Sequence, residues 1–93
     1  MGRLERRIFK LNDEVARLGD ELHRGLAELD VHRHLADDAA RDAAVSESPL
    51  DREDERETGS DVARFERLVE HLRRRIATTE DKRDRLLQRL GGP

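Results

Sequence analysis

Apolar residues in the first half of the chain recur with alternating steps of four and three. The series runs Leu4, Ile8, Leu11, Val15, Leu18, Leu22, Gly25, Leu29, His32, Ala36, Ala39 and Ala43. It is a heptad seam, with mostly apolar residues at positions a and d, and is typical of a helix that packs along one stripe. The second half repeats the pattern over Val62, Phe65, Val69, Leu72, Ile76, Thr79, Arg83, Leu86 and Leu90. Two seams of similar length predict two long helices and an all-α fold.

The two seams match when the chain folds back on itself. With the turn centred near Glu47, residues whose numbers add to 94 face each other, so Leu18 faces Ile76 and Leu29 faces Phe65. Every a layer then meets a d layer, as an antiparallel coiled coil requires. We therefore predict one domain over residues 1–93, an antiparallel two-helix coiled-coil hairpin whose first helix covers about residues 3–45.

The sequence offers two starts for the second helix. Ser48 followed by Pro49, with an acid three residues after the serine, is typical of a helix N-cap. On this interpretation, which we favour, the turn covers residues 46–48 and the helix runs from about 49 to 90. The second candidate cap is Ser60, which would leave residues 46–60 as an acidic loop and begin the helix at 61.

Charge is distributed unevenly along this 93-residue chain, of which 44% is Asp, Glu, Lys or Arg. Residues 37–61 contain ten acids and three arginines, a net charge of −7, which leaves +4 for the rest of a chain whose total is −3. The predicted layers near the turn also place Glu55 opposite Ala39 and Asp51 opposite Ala43. Burial of little apolar area there should contribute little stability. We therefore expect an acidic hairpin tip that either frays or binds a partner.

Membrane and cysteine chemistry are not expected. The chain has no cysteine, which excludes a disulfide and a thiolate metal site, and it has no apolar run that approaches a membrane span. Its first residues are charged and lack the apolar segment of a secretion signal. The sequence therefore predicts a soluble, cytoplasmic protein.

Few residues suggest catalysis or ligand binding. The chain contains no Gly-rich phosphate loop, nucleophile elbow or metal-binding helix pair. His32 and His34 lie two residues apart on a helix and point away from each other, so they cannot hold one ion together. We expect His32 to form a half-buried polar layer opposite Val62. The cluster at residues 73–75 is basic, but acids surround it and no aromatic side chain accompanies it, which argues against nucleic-acid binding. We expect no enzymatic activity, no cofactor and no metal.

Four leucines beside the seam indicate a further packing surface. They occupy heptad positions e or g: Leu26, Leu35, Leu68 and Leu87. A hairpin of two helices buries only one stripe per helix, so a wider apolar stripe predicts another contact. Pairing of two hairpins into a four-helix bundle, a homodimer, would cover it. The alternative occupant is a helix of another protein.

The acidic tip is the second candidate interaction surface, with four carboxylates at Asp51, Glu53, Asp54 and Glu55. An antiparallel hairpin with such a tip is similar to the coiled-coil domain of Gre-type transcript-cleavage factors, although the stretch does not repeat the Gre tip pattern. The resemblance implies that the carboxylates enter a channel of RNA polymerase towards its magnesium. A regulator that inserts its acidic tip into a basic channel is therefore the alternative to a self-associating scaffold.

Overall fold

The described residues form two long helices and contain no strand. The computed structural model describes residues 2–46 and 48–92. Helix α1 covers Arg3–Val45 and helix α2 covers Pro49–Gly91. The two helices pack against each other as an all-α helical hairpin, which confirms the predicted fold class. Glu47, on which the predicted turn is centred, lies outside the described residues.

Hydrogen bonds at Ser48 begin helix α2. The Leu50 amide donates to Ser48 Oγ at 3.3 Å, and the Arg52 amide donates to the Ser48 carbonyl at 3.4 Å. The Ser48 amide donates to Ser46 Oγ at 3.1 Å. Ser46 therefore takes the acceptor role that an acidic side chain fills in a capping box. Residues 49–60 are accordingly helical. Helix α2 therefore begins at the first of the two predicted starts, and residues 46–60 do not form an acidic loop.

The chain forms two compact units. The first, here called the terminal unit, contains Met1–His23 and Glu70–Pro93, and the second, called the turn unit, contains Arg24–Val69. Neither helix has, within the described residues, a stretch long and apolar enough to cross a membrane.

The terminal unit has a core of seam residues. Those that are buried are Ile8, Leu18, Leu72, Thr79 and Leu86. The hydroxyl of Thr79 donates to the Arg75 carbonyl at 2.8 Å, which satisfies this polar group inside the core. Arg75 also donates to Glu14 at 3.0 Å, and Arg83 donates to Asn12 at 3.4 Å. These pairs show that the helices run antiparallel here, because the lower number in α1 pairs with the higher number in α2.

The turn unit combines a smaller apolar core with a stacked ring pair. Its buried residues are Gly25, Leu29, Ala39 and Val69. The His32 imidazole stacks on Phe65 with ring centroids 4.6 Å apart and 19° between the ring planes. His32 is half-buried, in agreement with the predicted polar layer. The ring contact that it makes is with Phe65, whereas the predicted layer placed it opposite Val62.

Two seam positions differ from the prediction. Glu55, expected in a layer with Ala39, is exposed, because burying a carboxylate without a partner carries a large desolvation cost. Leu90, expected in the seam, is 48% exposed. It lies in the last turn of α2, next to Gly91.

Candidate functional site

The four leucines predicted beside the seam are all exposed. The turn unit contains Leu26, Leu35 and Leu68, which are 37%, 48% and 41% exposed, and the terminal unit contains Leu87, which is 44% exposed. Phe9 and Leu90 add two further exposed apolar side chains to the terminal unit. Each side chain is partly covered by its own hairpin and leaves apolar area that another chain could bury.

The turn unit contains an acidic groove. Its lining consists of five carboxylates with Leu35, Ala39 and Thr58 between them. The carboxylates are Asp38, Asp42, Asp51, Asp54 and Glu57. Arg41 forms an ion pair with Asp38, and the other four carboxylates make no ion pair within the described part of the chain. The groove therefore has an uncompensated negative charge beside the exposed Leu35.

The predicted acidic tip is only partly assembled in this groove. Of its four carboxylates, Asp51 and Asp54 line the groove, whereas Glu53 and Glu55 are exposed and lie outside the lining. Sequence reasoning did not select Asp38, Asp42 and Glu57 as site residues. Their heptad positions, c or g, could have identified them, because c and g residues of both helices lie on one flank of an antiparallel hairpin.

The terminal unit contains a basic groove that sequence reasoning missed. Five cations line it: Arg7, Lys10, Lys82, Arg85 and Arg89. Leu11 and the buried Leu86 complete the lining, and the cavity volume is about 550 Å³. Arg85 forms an ion pair with Asp81 at 2.9 Å, whereas the other four cations make none with any described residue. The groove is therefore suited to an anionic partner.

The basic cluster considered in the sequence is not part of this groove. Arg74 pairs with Glu70 at 3.1 Å, and Arg75 pairs with Glu14 at 3.0 Å. Their charge is largely compensated within the hairpin. The signal that could have found the basic groove is again the heptad position, because all five of its cations occupy c or g.

The histidines do not assemble a metal site. His32 is stacked on Phe65, and His34 is exposed on the helix surface. Among the described residues no group of three or more His, Cys, Asp or Glu side chains could hold a metal ion.

The surroundings of His34 shift its pKa. Its Nδ1 lies 2.8 Å from the Asp30 carbonyl oxygen, and the Asp30 carboxylate is 3.8 Å away. The hydrogen bond to the Asp30 carbonyl, with the Asp30 charge second, raises the pKa of His34 above its ordinary value. Protonated His34 therefore favours the helix at low pH. This contribution to stability is fully present below the pKa that His34 has in the unfolded chain. It is lost as the pH rises through the higher pKa that His34 has in the folded chain.

An NMR titration tests this assignment. We expect Asp30→Asn to lower the pKa of His34 measured from its imidazole carbon shifts, because the substitution removes the nearest negative charge and keeps the backbone carbonyl. An identical titration midpoint in the wild type and the variant would show that the carboxylate does not act on His34.

No protein-family model, curated protein or solved structure matches this chain. The exposed apolar side chains and the two grooves are therefore the features that indicate a function.

Proposed function

We propose that this chain is a small, non-enzymatic coiled-coil protein that self-associates and acts as an interaction scaffold. Two hairpins would pair into a four-helix bundle, and the proposal includes the cytoplasmic location that the sequence led us to expect. The observation that carries the proposal is the partial exposure of Leu26, Leu35, Leu68 and Leu87 beside the seam. A second hairpin would bury the leucines at one heptad position, either e (Leu26 and Leu87) or g (Leu35 and Leu68), at about 25 cal/mol per Å² of apolar area.

The alternative function, insertion of the acidic tip into a basic channel of a partner such as RNA polymerase, stays a prediction. It is supported by the unpaired carboxylates of Asp51 and Asp54, which share one groove. The exposed positions of Glu53 and Glu55 outside that groove give it less support, because the tip would then present its charge in several directions. We therefore place self-association first.

The double variant Leu26→Glu with Leu68→Glu tests the proposal. Leu26 lies at position e and Leu68 at position g, so each copy would bury a carboxylate in place of a leucine whichever position faces the partner. We expect the dissociation constant of the dimer to rise at least about 100-fold, which corresponds to about 2.7 kcal/mol. The measurement is the mass in solution as a function of concentration, by sedimentation equilibrium.

A matched control adds the same charge elsewhere. Ala27→Glu with Ser60→Glu places two glutamates in the turn unit at exposed outer positions of the heptad. This control should associate as the wild type does, and circular dichroism should show both double variants to be helical. Equal dissociation constants for the wild type and the leucine variant would contradict the proposal.

A further inference from the structure

We infer that the basic groove of the terminal unit is a docking surface for the acidic groove of a second copy of this chain. The inference rests on the proposed self-association and specifies which surfaces meet. It identifies the partner by its chemistry: a helical surface with about as many carboxylates as the groove has cations and an apolar side chain among them.

The two grooves have complementary linings. The basic groove has five cations around Leu11 and Leu86, and the acidic groove has five carboxylates around Leu35 and Ala39. Four side chains in each groove make no ion pair within the described residues. Like charges so close together repel one another, and opposite charges from a second copy would relieve this repulsion in both grooves at once.

The heptad positions of the two linings also agree. Both grooves are built from positions c, d and g of α1 and α2. Leu35, which lines the acidic groove, is at position g, as is the exposed Leu68 of the same unit. The flank formed by positions c and g therefore provides both the charges and the exposed Leu35 and Leu68, which favours it as the interface. Leu26 and Leu87, at position e, lie outside this interface.

A closed dimer is the smallest assembly in which both grooves of each copy are paired. An acidic groove on a basic groove is a contact between two different surfaces, and such contacts either close or continue into a filament. In a two-fold dimer the contact forms twice, and neither copy keeps an unpaired groove. A nucleic-acid backbone is the other polyanion that the basic groove could attract, but it would leave the acidic groove unpaired, and no aromatic side chain lines the basic groove for base stacking.

A charge-swap experiment tests the inference. One variant reverses the basic groove with Lys10→Glu, Lys82→Glu and Arg89→Glu. The other reverses the acidic groove with Asp42→Lys, Asp54→Lys and Glu57→Lys. In sedimentation experiments at 50 mM salt, we expect each variant alone to be monomeric, with a dissociation constant at least about 100-fold above the wild type. The equimolar mixture should form a dimer, because each reversed groove then meets its opposite.

The matched control keeps the charge change and moves it away from the grooves. Asp13→Lys, Asp20→Lys and Asp37→Lys alter the net charge by the same amount as the acidic-groove variant, at exposed outer positions. This control should dimerise alone. Circular dichroism of all variants shows whether they are folded, and the rescue by mixing cannot occur if a variant is unfolded.

The outcomes separate this inference from the proposed function. Dimers that persist in both charge variants would overturn the inference and leave self-association standing. A wild-type chain that is monomeric at every concentration would overturn both. Failure of the mixture to associate would overturn the inference. It would also be overturned if the charge variants left self-association unchanged while reversal of the basic groove abolished binding of a labelled single-stranded oligonucleotide.

Discussion

Replacing Leu18 with alanine is expected to lower the free energy of unfolding by about 2–5 kcal/mol. Leu18 is completely buried in the terminal unit, so the substitution removes buried methyl groups and leaves a cavity. A small domain has a total stability of about 5–15 kcal/mol, so the loss is a large part of it. The corresponding decrease in melting temperature is on the order of 8–40 °C.

Thermal unfolding followed by circular dichroism at 222 nm measures this loss. Wild type and variant must be compared at one protein concentration, because association makes the melting temperature depend on concentration. Leu50→Ala is the control, since this leucine of α2 is 70% exposed and its truncation leaves no cavity. A decrease no larger for Leu18→Ala than for Leu50→Ala would show that Leu18 is not in the core.

Replacing two helical glycines with alanine is expected to stabilise the protein by about 2 kcal/mol. Gly19 lies in α1 and Gly59 in α2, and a Cβ atom added at either position meets nothing within 4 Å. Glycine costs about 0.8–1 kcal/mol relative to alanine in a helix interior, so the two effects should add at these separate sites.

Gly92→Ala is the matched control for the glycine variant. A Cβ atom there would lie 2.9 Å from the Gln88 carbonyl oxygen, and Gly92 follows the end of α2. We expect this substitution to give no stabilisation. An unchanged or lower unfolding temperature for Gly19→Ala with Gly59→Ala would mean that one of the two helices is not continuous at its glycine.

The heptad spacing predicted the helices because a long run of a and d residues can be buried only along a helical stripe. The same reasoning found the antiparallel packing, and the Ser48-Pro49 pair found the start of α2. It was wrong for Glu55 and Leu90, because the period assigns a position to each residue but gives neither the desolvation cost of a carboxylate nor the exposure of a side chain in the last turn of a helix.

The candidate surfaces were predicted less completely than the fold. The exposed leucines followed from heptad positions, since apolar residues at e and g lie beside a seam that is already filled. The grooves did not follow, because each one combines residues of both helices that lie far apart in the sequence. A run of three arginines was more conspicuous than Arg7, Lys10 and Lys82, although acids of the hairpin pair with two of the three arginines in that run.

The mass of the wild-type chain in solution tests self-association most directly. Sedimentation equilibrium over a wide range of protein concentrations, at low salt and again at high salt, would measure it. We expect a species of twice 10.8 kDa whose dissociation constant rises with salt, because salt screens the charges of the two grooves. A mass of 10.8 kDa at every concentration and both salt conditions would contradict the proposal that this chain is a self-associating scaffold.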